Sequence, residues 1–441
     1  MLYKFVVLDD DPTGTQCIHD LAVYTEWTQA LLEKALLDKR PMFFLLTNSR
    51  SFSEQKTEQV HREIVRNLLA AGRKSGVHFG LVSRGDSTLR GHYPLEIDVL
   101  AEELQAAGVK IDGEILCPCF FEGGRITEGD VHYCLEQGRR IPVAETEFAK
   151  DATFGFTHSD LKAYIEEKSH GVYPSSEVIS ISCELLRAGD ENAIRRLLHS
   201  GRKIIVNSTC YKELDQFTAV LNQELSAGCN YLFRVAASFT RSVSRQESHP
   251  LLSARSLGLP HNGAGGLIVV GSHTAKTNRQ LIVLRHCAGL VPFEFDPSMV
   301  FKEDIDPICS EIARQADCCI RSGKTFLLYT GRTVLLANTP EESLSLSVHI
   351  SSALAKIVSL LSEQPRFVMA KGGITSYDIA VYGLQVKEAL VSGQVKPGVS
   401  LWLLPEDSRF AHMPYIICPG NTGDDDTLAD IYSEFSSQPD M

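Results

Sequence analysis

Short apolar runs alternate with stretches of helix length along almost the whole chain, and this constrains the fold more than any other feature. It is the pattern of parallel sheets covered by helices on both faces. Candidate strands in the first half are FVVL (5–8), MFFLLT (42–47), VHFGLVS (77–83), GEILCP (113–118), VISIS (178–182), KIIVNS (203–208) and YLFRV (231–235). Between the second and third of these, Val60, Ile64, Val65, Leu68 and Leu69 recur at helical spacing and predict an amphipathic helix. From 238 to 266 the chain is rich in Ser, Arg, Pro and Gly without a sustained apolar period, as expected of a linker. A second series follows with GLIVVGS (266–272), VPFEF (291–295), TFLLYTGR (325–332), RFVMAKGG (366–373), SLWLL (400–404) and YIICPG (415–420), with helices expected at 302–321 and 343–364. At 441 residues, two cores are expected. The expectation is an α/β fold of two domains, residues 1–240 and 266–441 joined by 241–265. Each domain is a mostly parallel sheet flanked by helices, with the active site in the cleft between them.

A formal net charge of -12 argues against nucleic acid or an anionic membrane as partner, so an anionic ligand must be held by local Arg, Lys and backbone N–H groups. The twelve cysteines are scattered without a C-x-x-C and mostly lie in apolar runs, which reads as reduced core thiols. No apolar run nears the roughly 20 residues of a membrane span, and Met1 leads straight into a strand-like run; a cytoplasmic location is the expectation. A homodimer is compatible with these features.

In open parallel sheets ligands bind beyond the carboxyl ends of the strands. The segments following the strands of the first half are DDDPTGTQ, TNSRS, SRGDSTLRG and PCFFEGGR, mixing acids, hydroxyls and arginines. Arg84 and Arg90 bracket Asp86, and guanidinium forks pair bidentately with carboxylates, so a small polar anion suits this half. Asp10, Asp11 and Asp86 are candidates to accept a substrate hydroxyl and to take its proton. The corresponding segments of the second half are GSHTAKT, YTGRT, AKGGITS and CPGNTGDDD, dominated by Gly and small hydroxyl residues. Such loops let backbone N–H groups close on phosphate oxygens, and Lys371 offers a cation there. None matches the Walker A or G-x-G-x-x-G pattern.

Taken together the motifs resemble those of the four-carbon acid sugar kinases, over nearly the whole length and in order. "DDDPTG" is similar to the family's opening A-D-D-x-T-G, "RGDSTLRG" to its K-x-D-S-T-L-R-G and "PCFFEGGRITEG" to its Pro-to-Gly-Arg segment, while "GSHTAKTNRQ" and "KGGITS" resemble its nucleotide-domain motifs. The resemblance implies a kinase that phosphorylates a tetronate such as threonate, erythronate or 3-oxo-tetronate with ATP and Mg2+, the metal ligands staying unassigned. It implies substrate contacts from Asp10, Asp11, Thr13, Gly14, Arg50, Arg84, Asp86, Ser87, Arg90 and Arg125. It implies ATP contacts from Ser272, from Gly372, Gly373, Ile374 and Thr375, and from Gly420. The chain departs from the family pattern at Asp9 and Pro12, at Arg84 where Lys is common, and in "PGNTGDDDTL".

Two other readings compete. Asp9, Asp11 and Thr13 share the D-x-D-x-T spacing of aspartyl-phosphate phosphatases, in which Asp9 would be the nucleophile and Asp11 the acid/base. A sugar-acid sensor without catalysis would keep the arginines but have little use for the Gly-rich loops. Asp424, Asp425 and Asp426 are a candidate Mg2+ site or a solvated acidic run. His19, His92 and His132 lie near the acidic loops and receive no role.

Overall fold

The computed structural model describes residues 3–259, 263–302, 304–332 and 340–436. They form two compact units, divided between Ser248 and His249. The expected 241–265 linker is described apart from 260–262, which lie outside the described residues, as does Thr333 of the YTGRT loop.

Strands of the first unit are β1 (Tyr3–Asp9), β2 (Leu21–Tyr24), β3 (Met42–Leu46), β4 (His78–Arg84), β5 (Gly113–Cys117), β6 (Arg125–Glu128), β7 (Val131–Glu136), β8 (Arg139–Pro142), β9 (Val178–Ile181), β10 (Lys203–Val206) and β11 (Tyr231–Val235). Eight of them form a sheet in the order β2-β3-β1-β4-β11-β5-β10-β9, and every pairing in it is parallel. The central strands are buried on both faces, which is why they read as continuous apolar runs. The helix Glu54–Ser75 covers one face with Val60, Ile64, Val65 and Leu68 buried. Ser53 caps its start by accepting from Lys56 N, and Gly76, at φ +69°, ends it in the left-handed region.

Two features of this unit were not expected. β2 is a four-residue strand at one end of the order, and β6-β7-β8 form a separate antiparallel sheet. The turns of that small sheet place Gly129 with Asp130, and Gln137 with Gly138, at positive φ, the geometry of tight hairpins. The helix Ala237–Val243 occupies the start of the Ser/Arg-rich stretch.

Strands of the second unit are β12 (Leu267–Val270), β13 (Leu290–Phe295), β14 (Thr325–Thr330), β15 (Val368–Lys371), β16 (Glu388–Lys396), β17 (Val399–Leu403) and β18 (Pro414–Cys418). In the order β13-β14-β12-β15-β18 they pair in parallel, and β17 and β16 continue antiparallel. β16 was missed because its residues alternate inward and outward, so it presents no apolar run. The helices Asp306–Arg321 and Pro340–Ser359 stand near the expected stretches. Among the described residues no helix is long and apolar enough to cross a membrane.

Candidate active site

Register carries the acidic motif to one rim of the first unit. Asp9 at the end of β1 is the parallel neighbour of Arg84 at the end of β4, and Arg84 is the neighbour of Val235 on β11. The chain then turns: Asp11 accepts from Thr13 N at 2.7 Å and from the Thr13 hydroxyl, capping the short helix Pro12–Thr15. Gly14 is obligatory in that turn, since a Cβ there would lie 1.9 Å from Asp9 Oδ2.

Three arginines meet the carboxylates. Arg50 pairs with Asp11 and stands 3.6 Å from both Asp10 and Asp86. Arg84 lies 3.4 Å from Asp9, 3.5 Å from Asp10 and 3.9 Å from Asp11. Arg90 holds Asp86 Oδ2 at 2.7 Å through Nε. Arg90 and Arg125 share the ring of Phe148, with guanidinium carbons 5.0 and 6.0 Å from its centroid, which brings Arg125 to the same rim. Ser87 is buried in the loop between Asp86 and Arg90. The structure thus gathers Asp10, Asp11, Thr13, Gly14, Arg50, Arg84, Asp86, Ser87, Arg90 and Arg125 in the first unit.

Asp9 and Asp86 are pushed in opposite directions. Carboxylate oxygens of Asp9, Asp10 and Asp11 all fall within 4.8 Å of one another, and like charges so close repel by several kcal/mol, roughly 4 at an effective dielectric of 20. Burial, the leading cause, pushes Asp9 up to about 8 despite Arg84, so it is largely neutral at pH 7. Burial would also raise Asp86, but Arg90, Arg50 and the Thr88 hydroxyl outweigh it and hold this carboxyl well below the usual range. Asp10 is 1% exposed, and neither of its side-chain oxygens has a hydrogen-bond partner. An ionised nucleophile at Asp9, as the phosphatase reading requires, conflicts with this burial, with the raised pKa and with Gly14 packed on Oδ2.

Sequence reasoning missed several residues that shape this rim. His132, assigned no role, is on β7; its Nε2 meets the Ser87 carbonyl at 2.8 Å and its Nδ1 the Thr127 hydroxyl at 2.9 Å. Burial lowers its pKa to about 4, so a neutral ring donates to Ser87 and accepts from Thr127. Arg234 is buried near the end of β11, where an arginine inside an apolar strand was the available signal, and Glu96 faces it from the helix Leu95–Ala106.

In the second unit, register aligns Val270 of β12 with Tyr329 and Lys371, and Lys371 with Cys418. The loops that follow are in close contact. Thr274 Oγ1 donates to the Gly420 carbonyl at 2.7 Å, and Arg332 donates to the Ser272 carbonyl at 2.6 Å. Gly372 has φ +115°, and a Cβ on it would come 3.1 Å from Ser272 Cβ; one on Gly420 would come 2.9 Å from Ser272 Oγ. Gly271 is equally constrained, its Cβ position being 2.0 Å from Thr375 Oγ1. Gly373, Ile374 and Thr375 form the first turn of the helix Gly373–Asp378. Ser272, Gly372, Gly373, Ile374, Thr375 and Gly420 are therefore brought together. Lys371 differs from expectation in its direction: it is 1% exposed, and its ammonium faces the carbonyls of Pro419 at 2.5 Å and Thr422 at 3.4 Å. Burial lowers its pKa to about 8. Asp424, Asp425 and Asp426 are exposed, and Asp425 pairs with Arg279 at 2.9 Å.

Comparison with known proteins assigns both units. Residues 5–243 match the sugar-binding N-terminal domain model and residues 267–428 the nucleotide-binding C-terminal domain model. The chain belongs to the four-carbon acid sugar kinase family. Among solved structures, a Salmonella typhimurium LT2 protein provisionally called a tRNA synthase is similar at 16% identity and a TM-score of 0.69, covering 97% of this chain and 98% of its own. A Haemophilus influenzae protein of the DUF1537 family is similar at 13% identity and a TM-score of 0.63, covering 98% of both chains. At these identities the likeness speaks for the fold. No curated protein matches the chain. In this four-carbon acid sugar kinase family member, the acidic and arginine-rich rim lies in the sugar-binding domain and the Gly-rich loops in the nucleotide-binding domain.

Proposed function

We propose that the protein is an ATP-dependent kinase that transfers a phosphoryl group to a hydroxyl of a four-carbon sugar acid of the threonate, erythronate or 3-oxo-tetronate type. The observation that carries the reading is Asp10: a buried carboxylate with no hydrogen-bond partner on either oxygen, flanked by Arg50 and Arg84, in a sugar-binding domain. Buried polar groups are normally satisfied, so such a carboxylate calls for hydroxyl donors from a ligand.

Of the other carboxyl groups, Asp9 is held neutral by burial, its partnerless Oδ2 packed against Gly14, and the remaining two are engaged. Asp11 accepts from Thr13 and pairs with Arg50, and Asp86 is held ionised by Arg90. Asp10 therefore accepts the proton of the attacking hydroxyl, while Arg50, Arg84 and Arg90 position the substrate carboxylate and offset its charge. Arg125, beside Arg90 across Phe148, adds to the same positive field.

The residues of the second unit fit a nucleotide. Gly373, Ile374 and Thr375 would offer their backbone N–H groups to phosphate oxygens, since those of Ser272 and Gly372 are bonded to the Lys371 and Cys418 carbonyls, and Gly372 and Gly420 let these loops close against Ser272. Lys371 supports these loops from within through Pro419 and Thr422. Mg2+ bound with ATP would neutralise phosphate charge, held mainly by phosphate oxygens and water, with Asp424 and Asp426 the exposed carboxylates beside the Gly420 loop. Transfer requires the terminal phosphate to meet the Asp10-bound hydroxyl in line, and most of the rate comes from that alignment and from charge stabilisation.

The test is ADP release from MgATP across D- and L-threonate, D- and L-erythronate and their 3-oxo forms. A kinase forms ADP and a phosphorylated acid with at least one of them. Background ATP hydrolysis alone with every member, together with ATP-independent release of phosphate from sugar phosphates, refutes the reading.

A further inference from the structure

Arg234 is a charged residue in the strand YLFRV, buried, and its parallel neighbour on β4 is Ser83. One edge of its guanidinium is fixed: Nη1 donates to Ser83 Oγ at 2.9 Å and to the Glu96 carboxylate. Glu96 is held in turn by the Ser49 hydroxyl at 2.5 Å and faces His61 Nε2 at 3.8 Å. Two glycines of the R-G-D-S-T-L-R-G loop make room for the group. A Cβ on Gly85 would lie 2.4 Å from the guanidinium carbon, and a Cβ on Gly91 would lie 2.7 Å from Nη2. The same point beside Gly91 is 3.5 Å from Asp10 Oδ2, an oxygen without a hydrogen-bond partner. Gly91 also has φ +127°, where a side chain is strained whatever the space.

A donor and an acceptor thus both lie beside Gly91, where a side chain would crowd the guanidinium. A cavity of about 10 Å³, the room one water oxygen takes, adjoins the same guanidinium, with Asp86 and Arg234 as its polar walls and Leu89, Leu116 and Tyr164 among the rest. The Tyr164 hydroxyl is already committed to the Leu89 carbonyl at 2.9 Å. An oxygen-sized group in that cavity has to accept from the Arg234 guanidinium and donate to Asp86, the carboxylate that lines it. A hydroxyl does both, a substrate carboxylate would be repelled by Asp10 and Asp86, and an apolar group would leave all of them unpaired.

We infer that Arg234, with Asp86 in the adjoining cavity and Asp10 Oδ2 beside Gly91, recognises a second, non-reacting hydroxyl of the sugar acid, Gly91 keeping a side chain off the guanidinium. The inference rests on the sugar-acid kinase reading and narrows it to acids bearing adjacent hydroxyls, one presented for transfer and one gripped. Arg234 is then a specificity-determining residue.

The test uses the full-length protein with Arg234→Lys, which keeps a charge against Glu96, and with the double change Arg234→Gln/Glu96→Gln, which removes both partners. Each is assayed with the preferred tetronate and with its 2-deoxy and 3-deoxy analogues. The wild type is expected to favour the tetronate over the analogue lacking the gripped hydroxyl by about 10- to 100-fold in kcat/KM, the range for a hydrogen bond to a charged group. In both variants kcat/KM for the tetronate should fall by a comparable factor, mainly through KM, while the value for that analogue changes little. An equal fall for all three acids, the result expected if Arg234 only supports the loop around an ordered water, overturns the inference. If the wild type phosphorylates none of the acids, the kinase reading has failed, and calorimetric titration with D-threonate and its deoxy analogues decides this one separately. Selective weakening of threonate binding by Arg234→Lys supports it, and equal binding of all three acids, or none, overturns it.

Discussion

Asp9 offers a measurement that separates two chemistries at one carboxyl. Burial raises it from an ordinary 3.8 to about 8, so between those limits the folded chain holds a proton that the unfolded chain has released. Stability from this group is complete below pH 3.8 and is lost as pH rises towards 8, at about 1.4 kcal/mol per pH unit within the window. Asp9→Asn has nearly the same shape, can still accept from Arg84 Nη1, now at 3.4 Å, and cannot ionise. Urea unfolding of both proteins between pH 5 and 9 is the assay, read as the difference between their midpoints, so that Asp86, Glu96 and other shared groups cancel. From pH 5 to 7 the variant should gain on the wild type by about 3 kcal/mol, the two-unit equivalent of that slope, and the difference should level off above pH 8. Parallel curves would mean that Asp9 is ionised against Arg84 throughout, and the account of the site's charge would be wrong. Turnover adds a second readout: Asp9→Asn should keep it, whereas a nucleophile at Asp9 would lose it entirely.

Asp10→Asn should lower kcat by about 10²- to 10⁴-fold, the usual contribution of a general base, without lowering the unfolding midpoint; a fall of only a few fold in steady-state ADP release would remove Asp10 from that role. Lys371→Met should weaken ADP binding while leaving threonate binding unchanged. The Pro419 carbonyl loses its donor, a cost of about 1–3 kcal/mol, whereas Thr422 keeps Gln280 Nε2 at 3.2 Å. Calorimetric titration with ADP checks this, and an unaltered affinity would show that the 419–422 loop does not depend on Lys371.

The parallel strands were legible because burial on both faces writes them as unbroken apolar runs, FVVL and MFFLL among them. β2 was not, being four residues long, and β6 to β8 were not, because a small sheet with one exposed side mixes Arg, Glu and His into its strands. The candidate site divides similarly. Arg84 is the last residue of a strand, and Asp10, Arg50 and Arg90 stand in the segments that follow strands, where position in the chain predicts position at the rim. Arg234, Glu96 and His132 act from inside a strand, a helix and a distant hairpin, and only the folded register brings them beneath the loop they support. The direction of Lys371 was equally hidden, since a lysine after a strand reads the same whether its head turns outward to phosphate or inward to carbonyls.

Parallel pairing in the first unit has a practical side. β1, β3, β4 and β5 deliver the candidate site residues at or beyond their carboxyl ends, so the turns that lead into the strands lie at the opposite rim, away from the candidate site. Gly228, three residues before β11, has φ +100° and nothing within 4 Å of the space beside it. Gly228 itself must stay glycine at that φ, but a dye, affinity handle or surface tether on the exposed Ser226 or Ala227 beside it would report on the protein, or immobilise it, while leaving the candidate site unobstructed.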